Sequence, residues 1–339
     1  MWKYWLLLIN TCFCAISFGQ VGGQRSYEFV NIPYTPRTVG LGGLNVSTPG
    51  EDVNLVISNP ALSTDTLSGL VSFNYLSYFA DAHSLATVYQ HDFGKWGSWF
   101  IGVNHLNYGT FDGFDPTGAP LGEFDARETY VTLGRGHRIA NFSMGGSIKF
   151  IQSNIAGFNS SAVALDIGGA FIHPTQQLSV GLVFKNIGFV ISDYSGTDEG
   201  ELPFDIQAGV TFKPRYMPFR FTFTGYNLSR EDIAFFDPVN APAGEEEPGT
   251  LDKLLRRFTV GAELILSKNF NLRAGYNHLV RQELKLEDTA QGAGFSFGLM
   301  FRVKAFEFAY SRGGYHAAGG SNNFSLTANT NMFLKRRTL

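Results

Sequence analysis

From about Leu70 onward the chain is a succession of roughly fourteen runs of alternating apolar and small or polar residues, joined by connections that are short and long by turns. The tight set falls at Gly94-Lys95-Trp96, Arg135 to Ile139, His173 to Gln176, Pro214 to Met217, Lys268-Asn269 and Lys304-Ala305. The long set falls at Gly109 to Gly122, Ser192 to Glu201, Ser229 to Lys253, Gln282 to Gln291 and Gly313 to Gly320. Two members of the long set, Ala80 to Ala82 and Ile155-Ala156, are short. A soluble sandwich has no reason to sort its loops by length onto one end. A transmembrane antiparallel β-barrel does, with turns on the periplasmic side and loops outside. The pattern predicts an all-β outer-membrane barrel of about 14 strands, with both termini periplasmic.

The runs themselves carry the same message. Phe219, Phe221 and Phe223 alternate with Arg220, Thr222 and Thr224, and Phe142, Met144, Ile148 and Phe150 with Ser143, Gly145, Ser147 and Lys149. Phe258 to Leu266, Phe295 to Val303 and Phe306 to Tyr310 repeat the pattern. With 32 Phe, 14 Tyr and 39 Gly against 16% charged residues, the composition suits a lipid-facing wall and a crowded interior. Tyr75, Tyr78, Trp96, Trp99, Tyr108, Tyr226, Tyr276 and Tyr310 fall near strand ends, where an aromatic girdle is expected.

Residues 1–19 read as a secretory signal: Lys3, two apolar stretches, then Ser17-Phe18-Gly19 before Gln20. Both cysteines, Cys12 and Cys14, lie in it, so the mature chain has no thiol for disulfides, nucleophilic catalysis or metal. Losing Lys3 takes the formal net charge from −3 to −4, and nothing recommends nucleic acid as a partner. Residues 20–68 contain frequent Pro and Gly but also Phe29, Val30, Ile32, Tyr34, Leu41, Leu44 and Val53 to Ile57, too apolar for a solvated tail. A wall of this many strands leaves a lumen that its own side chains cannot fill, so residues 20–68 are expected to plug it and 69–339 to form the barrel.

No enzymatic constellation emerges. The seven histidines lack close metal-ligand spacing, Ser147 lacks a nucleophile-elbow context, and Gly40-Leu41-Gly42-Gly43 has Asn45 where a dinucleotide loop needs its third glycine. Asp166, Glu263 and Lys149 on the polar faces suggest a charge network in the lumen, and no cofactor is implied. The loop Ser229 to Lys253 is the most distinctive surface element. Its Phe235 and Phe236 supply contact area, and Glu245, Glu246 and Glu247 supply steering charge, for a docking partner.

Tyr27 to Pro33, Arg37, Gly40-Leu41-Gly42-Gly43, Asp52 and Asn59-Pro60-Ala61-Leu62 together resemble the N-terminal region of the fatty-acid transporter-like (FadL-like) outer-membrane barrels. Within them the chain looks most like the PorQ-like barrels of the type IX secretion machinery of the Bacteroidetes. The resemblance implies a 14-stranded barrel whose hatch includes Arg37, Gly40, Gly42, Gly43, Asn59 and Pro60. It implies a non-enzymatic role: anchoring a PorZ-like surface protein beside a PorU-like sortase and a PorV-like barrel, in a complex that attaches cargo to lipopolysaccharide. The other role open to such a barrel is uptake of hydrophobic compounds, with the hatch as gate.

Overall fold

The computed structural model describes residues 25–194, 200–230, 233–234, 247–284, 292–316 and 319–334. Before the first strand come two short helices, α1 (Pro36–Gly40) and α2 (Leu55–Ser58), and three single 3-10 turns. The strands then follow as β1 (Leu70–Ser77), β2 (His83–Asp92), β3 (Ser98–Phe114), β4 (Pro120–Ile139), β5 (Phe142–Ile155), β6 (Phe158–Ile172) and β7 (Leu178–Ser192). The second half holds β8 (Asp205–Phe212), β9 (Phe219–Gly225), β10 (Phe258–Ser267), β11 (Phe270–Asn277), β12 (Phe295–Val303), β13 (Phe306–His316) and β14 (Gly319–Asn329). Helices α3 (Thr250–Leu255) and α4 (His278–Glu283) lie in the long connections, and α5 (Asn331–Leu334) follows the last strand.

Each strand pairs antiparallel with its neighbours in sequence, and β1 closes on β14 from Leu70 opposite Asn329 to Ser77 opposite Asn322. The result is a closed barrel of 14 strands, as the loop pattern predicts. Closure leaves no unpaired sheet edge, which is why a sheet can survive in lipid. Burial alternates with period 2: Phe100, Gly102, Asn104 and Leu106 of β3 face inward, while Ile101 and Val103 face out. No helix among the described residues is long and apolar enough to cross a membrane.

The barrel is taller on one side. Strands β3 to β7 run for 17, 20, 14, 15 and 15 residues, whereas β8 to β12 run for 8, 7, 10, 8 and 9. Three connections differ from their sequence reading. The expected loop Gly109 to Gly122 is mostly a hairpin, with only residues 115–119 outside β3 and β4. A bulge at Gly109 (φ 87°) lets the ladder continue past what reads as a breaker. The short turn expected at Arg135 to Ile139 lies one step later, at Ala140 and Asn141, with Ala140 at φ 53°. Gly313 to Gly320 is likewise largely strand.

The aromatic girdle also needs correction. Tyr75 is 41% exposed on the outer face, but Tyr226 is buried, and Tyr78 and Tyr108 pack against an interior cluster. Tyrosine near a strand end carries a polar tip that an interior acceptor can satisfy as well as an interface can. Here Tyr108 donates to Glu128 (2.5 Å) and Tyr226 to Asn277 (3.0 Å).

Candidate functional site

Residues 25–68 occupy the lumen in two layers. The inner layer begins at Thr35, whose hydroxyl accepts from the Thr38 backbone NH (3.4 Å) and opens α1, with Pro36 at its first position. The helix delivers Arg37 to Glu263 on β10, Nη2 to Oε2 at 3.0 Å. Arg220 of β9 reaches the same oxygen at 2.9 Å, and Arg273 of β11 reaches Oε1 at 3.1 Å. The Glu263 side chain is fully buried, so one carboxylate ties the hatch to three adjacent strands. Breaking such a group would strand uncompensated charge inside the protein.

After α1 the chain reverses through Gly42 (φ 94°) and Gly43 (φ 98°), a region that only glycine enters without strain. The Gly43 NH donates to the Thr38 carbonyl (2.9 Å), and Asn277 of β11 donates to the Gly42 carbonyl (3.2 Å). Further on, Asn59 ties the hatch to itself and to the wall. Its amide nitrogen donates to the carbonyls of Val46 (2.8 Å) and Gly169 (3.3 Å), and its oxygen accepts from the Ala61 NH (3.0 Å). Pro60 follows at the first position of a 3-10 turn. Ser47 and Thr48 both contact Thr211 of β8, at 2.8 and 2.9 Å. Asn54 is bridged to β1 by Ser72 (3.0 Å) and Asn74 (2.9 Å).

The wall makes room for this backbone with inward-facing glycines. A Cβ on Gly136 would stand 2.2 Å from the Ser63 carbonyl oxygen, one on Gly145 2.3 Å from the Pro60 carbonyl carbon, and one on Gly168 1.9 Å from Asn59 Oδ1. Gly181 would meet the Val46 carbonyl oxygen at 2.1 Å, and Gly275 the Gly42 nitrogen at 2.1 Å. Gly136, Gly145 and Gly168 are cross-strand partners in one row. At these positions no side chain fits, because hatch backbone occupies the space.

The outer layer is of another kind. Tyr27, Phe29, Val30 and Tyr34 pack into an apolar cluster with Leu76, Leu106, Tyr130, Ile151, Ala162 and Leu202, drawn from β1, β3, β4, β5, β6 and the β7–β8 connection. Its polar ties include the Tyr27 hydroxyl with Ser160, the Ser26 NH donating to the Glu201 carbonyl at 3.0 Å, the Asn186 amide donating to Asn31 at 3.2 Å and Glu28 with Arg230 at 3.6 Å. Beneath it, a cavity of about 50 Å³ touches Tyr34, Asn54, Tyr130, Lys185 and Gln207, space for a water molecule or two. Larger apolar hollows, of about 610 and 520 Å³, lie on the outer wall between rings such as Phe297 and Phe308.

The three charged residues expected to form one lumen network form two groups. Lys149 pairs with Asp166 (2.7 Å) and donates to Asn186 (2.8 Å) at a bulge in β7, while Glu263 belongs to the arginine cluster. Arg220 enters the sequence reading only as a polar-phase residue and Arg273 not at all, although both lie on the inward phase of their strands. Of the proposed docking residues, Phe235, Phe236, Glu245 and Glu246 lie outside the described residues, as does the leader at 1–19. Glu247 is exposed and pairs with Lys253 at 2.9 Å. Nearby, His278 and Asp252 join α4 to α3 (2.7 Å). Partial burial raises the Asp252 pKa, but hydrogen bonds from His278 and Arg256 outweigh it and hold the carboxyl below its ordinary range. Among the described residues no three His, Cys, Asp or Glu side chains group closely enough to hold a metal ion.

No protein-family model matches the chain, and no curated protein matches its sequence. Its fold does match solved barrels. The toluene transporter TbuX of Ralstonia pickettii superposes with a TM-score of 0.52 at 10% identity, over 88% of this chain and 98% of that one. A deletion mutant of the monoaromatic hydrocarbon channel TodX gives 0.52 at 13% identity, over 88% and 97%. At such identities the likeness is one of fold, a closed antiparallel β-barrel of the architecture those two proteins have.

Proposed function

We propose that this barrel is a plugged outer-membrane anchor, with its long loops outside, that holds a surface protein at the membrane. The observation that carries the reading is the double filling of the lumen. The inner layer is bolted to the wall through Glu263 and pressed against glycines that leave it no slack. The outer layer fills the apolar part of the lumen with the chain's own Tyr27, Phe29 and Val30. Such an interior suits a rigid support better than a conduit. The resemblance to PorQ-like barrels gives the support a setting: a type IX attachment complex with a PorZ-like protein, a PorU-like sortase, a PorV-like barrel and lipopolysaccharide as acceptor of cargo. Recovery of a surface protein with the barrel from gently solubilised outer membranes, and its release into the medium when the barrel is deleted, is the expected result.

A second reading, passage of hydrophobic compounds, is favoured by the architecture shared with TbuX and TodX and by the apolar character of the outer lumen. It requires the outer layer to withdraw. Saturable uptake of a hydrophobic compound by cells carrying this barrel alone, with no surface protein lost on its deletion, would replace the anchor by this reading.

A further inference from the structure

The outward side chains of the tall strands mark where the lipid-facing belt stops. On β4 they run Leu133, Val131, then Thr129, Arg127 and Asp125; on β5, Ile148, Phe150, then Gln152 and Asn154; on β6, Leu165, Val163, then Ser161 and Asn159. Past this boundary the strands stand in water. Yet their inward faces end in apolar side chains. Phe124 shares the phase of Ala126, Glu128 and Tyr130, and its register partner across the hairpin is Phe111; the two rings stack at 5.4 Å. On the next hairpin Ile155 and Phe158 are paired and continue the inward phase of Ser153 and Ser160. Phe111, Phe124 and Ile155 are 41%, 37% and 40% exposed, and Phe158 is 60% exposed.

These four side chains form an apolar back-stop on one side of the barrel mouth, above a lumen already filled. Among the described residues, strands β8 to β12 run for only 7 to 10 residues and build no matching wall. The outer side of the same β3–β4 hairpin is acidic, with Asp112, Glu123 and Asp125 in its outward phase and Asp115 at the tip. Hydrogen bonds from the Thr117 hydroxyl and from backbone NH groups hold the Asp115 carboxyl below its usual range. Arg127, paired with Asp125 at 3.1 Å, offsets part of this charge. We infer that the mouth-facing side of the tall hairpins is a docking surface for a folded soluble protein, which sets an apolar knob against Phe111, Phe124, Ile155 and Phe158 and brings Lys or Arg to the acidic flank. Stacked aromatics near the centre of a contact carry most of its affinity, and the rim charges govern the approach. This inference rests on the anchor reading and gives it a location distinct from Phe235 and Phe236.

The test uses the intact barrel in its own membrane, with a photo-reactive phenylalanine at Phe124 or Phe158 as the probe and the same residue at lipid-facing Phe297 as control. Cross-links from the first two positions to one soluble protein, the same one that co-purifies with the wild-type barrel, are expected. Phe111→Ala with Phe124→Ala should weaken retention of that protein roughly tenfold or more, at unchanged barrel abundance. Asp112→Lys with Glu123→Lys should slow its binding and flatten the salt dependence. Cross-links only to lipid or to residues 231–246 of the same chain, or retention undiminished in the double alanine variant, would overturn the docking surface and leave the anchor standing. Absence of any surface protein on the wild-type barrel would overturn both.

Discussion

The two layers of the plug fill the same lumen with a different balance of forces. The inner layer, residues 35–68, adds directional contacts to its apolar packing against Val88, Phe100 and Ala170: a carboxylate shared by three guanidiniums, the Asn59 hydrogen bonds and backbone pressed into glycine notches. The outer layer, residues 25–34, is held mainly by apolar burial. Directional contacts fix one geometry and fail together when a member is lost. Apolar burial is non-directional and tolerates sliding. The inner layer is therefore the fixed part, and the outer layer is where any motion of the plug must start.

The largest effect should come from Glu263→Gln. It leaves Arg37, Arg273 and Arg220 without their counter-charge and should cost about 3–5 kcal/mol. Thermal unfolding followed by the mobility of unheated samples in detergent gels would register it, and trypsin should gain access to Arg37. Phe29→Ala removes a ring from the outer cluster and should cost up to about 3 kcal/mol, below a full core deletion because the segment can part from the cluster locally. Chymotrypsin should then cut at Tyr27 or Tyr34 while Arg37 stays protected. If Arg37 is exposed as well, the two layers are one cooperative unit and the comparison fails.

Gly145→Val drives a side chain into the Pro60 carbonyl and should destabilise the inner layer by about 1–3 kcal/mol. Gly157→Val, at a turn where an added Cβ meets nothing within 4 Å, supplies the contrast, with only its positive φ (83°) to strain. The smallest effect lies outside the lumen. The Asp252 carboxyl has a lowered pKa in the folded chain, so its contribution is complete above the unfolded value of about 3.9. It is lost as pH falls through the folded value. Hydrogen-exchange protection of α3 and α4, corrected for the intrinsic rate, should fall at acid pH in the wild type, and Asp252→Asn should remove that dependence.

The barrel was legible because period-2 alternation and loop sorting are local signals that repeat many times. Gly145 stands in the sequence as a small residue on the polar phase of its run, but its role does not, since it depends on which hatch carbonyl arrives opposite. The arginine cluster was half legible. Arg37 and Glu263 stand out as charges in apolar company, whereas their pairing spans 226 positions and is set by barrel closure. The tall hairpins were misread because Gly109 and Gly122 signal a break, and a bulge can absorb a glycine without ending the ladder.

The most direct test of the anchor account is to lock the plug and ask whether the barrel still works. The mature chain has no cysteine of its own if the leader ends before Gln20, so Ser47→Cys with Thr211→Cys would join the inner layer to β8. Arg25→Cys with Glu201→Cys, at a backbone bridge, would join the outer layer to the rim. With both disulfides formed, the anchor account predicts that cells retain the surface protein as fully as before oxidation. Retention lost on oxidation and restored by reductant, or uptake of a hydrophobic compound that follows the same switch, would contradict it.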